Sequence, residues 1–417
     1  MRSLPKYCAK FVRFKKPTMS KSPLDFIVAK TPSASRKYVS GKKIPFSEFI
    51  HDYANGDVDI EGDFIEFMKC RNEVFDYRLT WKHIKFFFTR MIPEVAIHSK
   101  SQDERIVRDH YDRGNDFFSS FLGPRMIYTS GFWNDVANET LEQAQDRKMT
   151  MVCDKLLMKP GNKHLDIGCG WGTLVAYAAK YYGTDSTGIT LAQDGTDHGN
   201  AQIARHGVAD RARILRMDYR DMITPGKNNE MFNHITCLEM GEHVGIRKFG
   251  RFIKNIYDKL DDDGTFYLQQ AGLRANPGLL ARGEHWEDLV WGLFMNEFIF
   301  SGADASTPLA FLVQTLQDAN FEVQSVENIG IHYSHTMTCW YHNWEANKEY
   351  ILQHYGEWWY RTWRVFLYWS VIIASQGSST CWSIIAHKNY NRVDRNRYIG
   401  RANLGERMEM GNVRIFE

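Results

Sequence analysis

Leu165-Asp166-Ile167-Gly168-Cys169-Gly170-Trp171-Gly172-Thr173 places three glycines where a short apolar strand must turn into a helix. Glycine lets a backbone turn sharply and come close to a ligand at the carboxyl end of a strand. Such a turn can hold a dinucleotide, hold a methyl donor, or only pack tightly. A dinucleotide site wants an acid at the end of the second strand, about 20 residues on, for the ribose. Here that strand ends Gly188-Ile189-Thr190-Leu191, without an acid, and the third glycine falls earlier than in G-x-G-x-x-G. Downstream, Glu242 leads Glu242-His243-Val244-Gly245 and could act on a substrate, cap a helix, or pair with Arg247. His332 and His335 flank Tyr333 as H-x-x-H, but no further ligand set accompanies them, so no metal is expected. Cys169 and Cys237 read as small buried residues.

Elements must hold these residues, and the hydrophobic pattern supplies an alternating series. Strand-like pieces fall at His164–Ile167, Ser186–Thr190, Arg213–Met217, His234–Leu238 and Thr265–Gln269, with helical patterns between them at 172–182, 193–206 and 247–260. This alternation predicts right-handed crossovers and a parallel sheet covered on both faces. Upstream, Leu141–Leu157 has helical periodicity and stops before Pro160-Gly161. From Glu104 to Phe132 aromatics mix with turn formers, which predicts a connecting, lid-like segment. Before Ile97 only short apolar pieces such as Phe64–Phe67 and Trp81–Phe88 stand out, a small helical region. Beyond Gly272 the pattern predicts an inserted helical stretch, a helix over Pro308–Ala319 and a strand over Phe321–Val326. An aromatic helical region over 340–374 and a strand over Thr380–His387 close the series. Trp286, Leu289, Val290, Leu293 and Phe294 share one helix face, which fits core packing or the wall of an acyl-chain tunnel.

With 417 residues, 43% hydrophobic and 24% charged, the chain can bury a large core. That excludes a mainly disordered or collagen-like protein. Seven cysteines, an odd number without a C-x-x-C pair, argue against a disulfide framework or zinc ribbon and for a reducing, intracellular setting. No apolar run reaches the ~18 residues of a membrane-spanning helix. The net charge of +2 hides an asymmetry, because residues 1–50 hold 12 lysines and arginines against 2 acids, Asp25 and Glu48. Such a leader reads as a solvated tail, a patch for anionic lipid headgroups, or an organelle address. The body is correspondingly acidic and no N-P-P-Y-like tetrapeptide follows the fourth strand, so no nucleic-acid partner is expected. Aromatic residues make up 14%, enough for a core and also for an apolar pocket or a membrane contact.

His110–Asn115, Met126–Phe132, Leu165–Thr173, Gly188–Leu191, Met217–Asp221 and Glu242–Gly245 together resemble the cyclopropane fatty acid synthase family. Its members are S-adenosylmethionine-dependent enzymes that act on lipid double bonds. Leu238-Glu239-Met240, Asp261–Gly264, Trp291–Asn296 and Phe300–Pro308 resemble more closely the fungal sphingolipid C9-methyltransferases within it. The resemblance covers roughly 110–390 and implies an α/β fold of class I methyltransferase type, Rossmann-like. Such a fold has a seven-stranded, mostly parallel sheet with helices on both faces, inserted helices over the active site and an N-terminal helical region. The implied layout is a basic tail and small helical region over 1–100, a connecting segment contributing to the cofactor site over 101–160, the methyltransferase domain over 161–390 and a C-terminal tail over 391–417. By the same resemblance Tyr128 and Thr129 meet the methionine end of the cofactor, with Asp166, Gly168, Gly170 and Gly172 beneath it. Thr190 and Leu191 reach the ribose, and Tyr219 and Leu238 flank the adenine. A glutamine usual in the loop after Thr190 is Gly195 here, which leaves Gln193 or Asp194 to substitute.

A sulfonium methyl is already activated, so the difficulty lies with the alkene, a poor nucleophile whose attack leaves a carbocation. Catalysis must align the partners, exclude water and supply a base for one proton. In cyclopropane synthases a bound bicarbonate is held to take that proton, and the resemblance puts its holders at Glu242, Tyr333 and the backbone near Ser130. The sequence departs from that pattern at Gln269, where histidine is usual, and at Ser130, where cysteine is usual. Glutamine cannot shuttle protons near neutral pH. Ring closure takes the proton from the new methyl, whereas C-methylation takes it from the attacked carbon and restores the double bond. Changed residues around the base therefore favour methylation. The expected function is an S-adenosylmethionine-dependent C-methyltransferase acting on the sphingoid base of a ceramide or glucosylceramide, working peripherally at a membrane surface. The alternatives are a cyclopropane synthase acting on unsaturated phospholipid acyl chains and a non-catalytic lipid-binding protein.

Overall fold

The computed structural model describes residues 23–38, 42–91, 113–223, 230–274, 286–303, 307–399, 408 and 410–416. The first 22 residues of the basic leader, His110-Tyr111-Asp112 and Asp304-Ala305-Ser306 of the quoted motifs, and part of the inserted stretch lie outside these residues.

The core is a sheet of β5 (Lys163–Ile167), β6 (Asp185–Thr190), β7 (Ala212–Arg216), β8 (Phe232–Leu238), β9 (Leu260–Leu273), β10 (Phe321–Asn328) and β11 (Ser379–Lys388), ordered β10-β11-β9-β8-β5-β6-β7. Only β11 runs against its neighbours, pairing antiparallel with β9 and β10. The chain leaves β5 for β6 on one side and returns to β8 on the other. That reversal opens a crevice beyond the carboxyl ends of β5 and β8, the usual ligand position in such sheets. β5 is buried on both faces from His164 to Ile167, as a strand covered by two helix layers must be. Helices Thr173–Tyr182, Gln193–Arg205 and Ile246–Lys259 make the crossovers.

The sheet strands fall where the pattern puts them to within one or two residues, with one long extension. β9 takes in the Asp261–Gly264 turn signal and continues past Gln269 to Leu273, because β11 pairs with it from Leu273 to Thr265. The aromatic helical region is three helices, Gly330–Ala346, Lys348–His354 and Glu357–Ser375, and begins earlier than its periodicity indicates. A side chain at Gly330 would meet Thr380 Oγ1 at 2.7 Å, so glycine lets that helix start against β11. His332 and Tyr333 therefore lie in its first turn. Within the connecting segment, Asn115–Leu122 is a helix whose buried Phe117 packs against Trp344 and Trp363, Phe121 against Trp344 and Phe118 against Trp171.

The N-terminal region carries, besides its helices, two small ladders: β1 (Ile27–Ala29) with β3 (Val58–Ile60) and β2 (Ile44–Pro45) with β4 (Phe75–Asp76). It packs on the Glu357–Ser375 helix through Phe46, whose ring meets that of Trp369 edge-on at 4.6 Å. The buried Arg71 guanidinium donates to both Glu287 carboxylate oxygens, at 2.7 and 3.0 Å, and Trp369 Nε1 adds a third bond at 3.0 Å. A desolvated pair of this kind holds only when every lone pair is satisfied, so it fixes the inserted Trp286–Phe294 helix in place.

Candidate active site

The glycine turn opens the crevice. Gly170 has φ +56 and no heavy atom within 4 Å of where its side chain would begin, so its backbone faces open space. Gly172 behaves differently, since a side chain there would strike Ile214 at 2.8 Å. Beneath the turn, Asp166 accepts from Thr236 Oγ1 at 2.7 Å, and burial lifts its pKa to about 6.

Across the crevice stands the loop carrying Tyr128 and Thr129. Arg125 grips Asp146 through two bonds of 2.9 Å, and Thr173 Oγ1 donates to the Arg125 carbonyl at 2.7 Å. The fully buried Lys148, on the Leu141–Lys155 helix, donates to Thr129 Oγ1. Burial brings its pKa down to about 8, opposed by the nearby charges of Glu239, Cys381 and Asp166.

Glu239 directly follows β8 with φ 62, a conformation that non-glycine residues rarely hold. Its carboxylate accepts from the Tyr333 hydroxyl, from the Gln269 amide at 2.5 Å and from the Cys381 thiol at 3.7 Å. Register explains the meeting, because Leu238 pairs with Gln269 and Cys381 with Ala271. Glu242 lies in the next turn, where its Oε1 accepts from the Ala271 N–H at 2.6 Å and its Oε2 has no partner among the described residues. Two buried carboxylates so close cannot both ionise. Burial raises both, and the charge of Glu239 pushes Glu242 well above the carboxylate range. Glu239 has three donors and Lys148 beside it, so Glu242 keeps the proton.

These elements border one cavity of about 570 Å³, within the range of small-molecule sites. Tyr128, Thr129, Asp166, Gly168, Gly170, Thr190, Leu191, Tyr219 and Leu238 line it, with Glu239, Glu242 and Tyr333. The lining also carries an apolar set, Leu289, Leu293, Phe300, Met337, Trp340 and Ile373, and the Tyr128 ring meets those of Phe300 and Trp340 at 5.8 and 5.6 Å. The Trp286–Phe294 helix is divided, with Val290 and Phe294 in the core and Leu289 and Leu293 on the cavity.

Residues 98–384 match the family model described as mycolic acid cyclopropane synthetase. The chain belongs to that family. It is 49% identical over 368 residues to a sphingolipid C9-methyltransferase of Komagataella phaffii, covering 87% of this chain and 74% of that one. It is 32% identical over 273 residues to the cyclopropane-fatty-acyl-phospholipid synthase of Escherichia coli, covering 66% and 64%. A mycolic acid cyclopropane synthase solved with SAH and CTAB shares the fold, with a TM-score of 0.64 at 23% identity over 70% of this chain and 100% of that one.

In this member of the family the residues expected to hold S-adenosylmethionine fit it, since the bare Gly170 cradle, Asp166 and the Tyr219–Leu238 pair share one cavity wall. Gly172 is not on that wall and serves helix-to-strand packing. At Gly195 a side chain would come 2.6 Å from the Gly170 carbonyl, which leaves no room for glutamine. Asp194 lines the cavity, whereas Gln193 is bonded to Asp197 and Arg216. For bicarbonate the fit fails, because Tyr333 and Gln269 already donate to Glu239. Ser130 is fully buried off the cavity, its hydroxyl unpartnered among the described residues, and the neighbouring Gly131 N–H is taken by Thr336 Oγ1 at 3.0 Å. His332 accepts from the Trp133 N–H at 3.1 Å and burial lowers its pKa to about 4, so it orients the loop as a neutral ring. Sequence reasoning missed Glu239 and Lys148 as site residues. For Glu239 a signal was present, an acid directly after a strand-like run, but none marked Lys148, whose helix proves to be buried on nearly every side.

Proposed function

We propose that this chain is an S-adenosylmethionine-dependent C-methyltransferase acting on an alkene carbon of a sphingoid base within a ceramide or glucosylceramide. The observation that carries the reading is the single cavity, which joins the glycine-turn donors to a wall of hydrocarbon. The 49% identity to a sphingolipid C9-methyltransferase supports the choice of lipid. Bound S-adenosylmethionine supplies a methyl on a sulfonium, ready for an electron-rich carbon. The chain's own residues do the rest. Tyr128 and Thr129, anchored by Lys148, face the glycine turn and set the distance between donor and alkene. Phe300, Trp340 and Tyr128 keep water out, and each aromatic face can stabilise a nearby carbocation by ~0.5–2 kcal/mol without attacking it. Leu289, Leu293 and Ile373 grip the chain, each buried methylene contributing ~0.8 kcal/mol.

The test is incubation with S-adenosylmethionine and, separately, a ceramide with an unsaturated base or vesicles of an unsaturated phospholipid. The expected product is a base one CH2 heavier that is still cleaved by ozone at its double bond. A phospholipid acyl chain one CH2 heavier and resistant to ozone would identify a cyclopropane synthase instead.

The lipid is taken from a membrane surface. Among the described residues no helix is long and apolar enough to cross a membrane. The Trp81–Phe86 helix and the turn after it nevertheless expose Trp81 to 76% and Phe88 to 65%, with Lys82, Lys85 and Arg90 among them, and Phe87 lines the cavity. Apolar anchors mixed with cations suit an anionic bilayer surface at the cavity mouth. Replacing Trp81 and Phe88 together by alanine is expected to lower partitioning onto phosphatidylserine vesicles by about tenfold or more. Turnover of detergent-dispersed substrate should not change. Unaltered sedimentation with vesicles would remove this surface from the model of action.

A further inference from the structure

We propose that Glu239 is the base of the reaction, its carboxylate standing between the Tyr333 and Gln269 donors in the place where a bicarbonate ion would otherwise be held. The inference rests on the methyltransferase reading above and names the group that completes it. The geometry is specific. Glu239 lines the cavity, its N–H donates to the Gln269 carbonyl at 2.8 Å, and its carboxylate collects the Tyr333 hydroxyl, the Gln269 amide and the Cys381 thiol. A strained φ of 62 is retained at the one point where it aims an acid from the end of β8 into the crevice.

The neighbours divide the labour. Glu242 holds its own proton and so cannot accept another, but it can donate through Oε2. Gln269, which cannot carry a proton, is suited to steadying an ionised carboxylate. Lys148 adds a nearby positive charge that favours the ionised form. Once the alkene's π pair has bonded the methyl carbon, with the C–S pair left on sulfur as the neutral thioether of S-adenosylhomocysteine, the adjacent carbon is a carbocation. A proton then leaves the methylated carbon for Glu239 Oε, its C–H electron pair closes the cation as a new double bond, and the carboxylate becomes a carboxylic acid. Burial raises the Glu239 pKa, which makes it a better proton acceptor than an exposed carboxylate.

The test uses Glu239→Gly and Glu239→Gln in the full chain. Glycine accepts the positive φ without strain and empties the carboxylate's place. Glu239→Gly should lose turnover by about 100-fold or more, with S-adenosylhomocysteine affinity unchanged by calorimetry. Added formate or bicarbonate should restore turnover in Glu239→Gly but not in Glu239→Gln, whose amide fills the space. Wild-type turnover should survive removal of dissolved bicarbonate. Independently of any lipid, carbon-13 bicarbonate should bind Glu239→Gly and not wild type by NMR line broadening. Bicarbonate binding equally to wild type, wild-type turnover that collapses without it, or full activity in Glu239→Gly would overturn the proposal. Absence of any methylated sphingoid base from wild type, with the NMR result intact, would strike the functional reading alone.

Discussion

Gly170→Val is expected to cost the protein its cofactor while leaving its fold. The backbone there has φ +56 and open space where a side chain would start, so the valine methyls project into the cavity and not into a packed neighbour. Overfilling a closed wall costs about 1–3 kcal/mol, which raises the Kd for S-adenosylhomocysteine roughly 5- to 150-fold. The left-handed backbone adds about 1–2 kcal/mol of folding cost, a modest loss of melting temperature. Gly172→Val makes the contrasting case. Its side chain strikes Ile214 at 2.8 Å and the Gly199 backbone at 3.3 Å, so it should lower stability more than Gly170→Val and affinity less. Calorimetric titration beside thermal melts separates the two. Equal affinities for Gly170→Val and wild type would mean that the ligand does not lie on the glycine turn.

The contrast shows which parts of the site are written locally. The glycine turn is legible because glycine at a strand-to-helix junction has few uses, and the strands around it show as runs buried on both faces. Glu242 and Tyr333 are legible through resemblance, and both line the cavity. The link between Tyr333 and Glu239 is not, since it depends on an antiparallel strand entering beside β9 and on a helix starting at Gly330. No local period reports contacts over such separations. Lys148 escapes for another reason. A charged triplet on a helix reads as a solvated face, yet Asp146 is claimed by Arg125, Arg147 by Glu139 and Lys148 by Thr129, all in the interior. Burial inverted the usual meaning of the residue type.

Tyr333→Phe probes that hidden link without emptying the cavity. The ring stays, so packing against its neighbours is kept, and only the hydroxyl donated to Glu239 is lost. A hydrogen bond to a charged group is worth about 1.5–3 kcal/mol, and it acts here on the ionised form alone. Its loss raises the Glu239 pKa further, because the Tyr333 hydroxyl holds it down. Glu239 works as a base only when ionised, so the sign is fixed: the pH of half-maximal turnover moves upward. Below that midpoint the variant loses about 10- to 100-fold, and it recovers as pH rises through the new value. Lys148, Cys381, Glu242 and Gln269 also face Glu239 and are unchanged in the variant, so they contribute the same background to both profiles. The measurement is kcat against pH for both proteins with saturating lipid. A lower plateau with an unmoved midpoint would show that the tyrosine acts on the substrate and not through the glutamate. An upward midpoint would tie the proton to a carboxylate built into the chain.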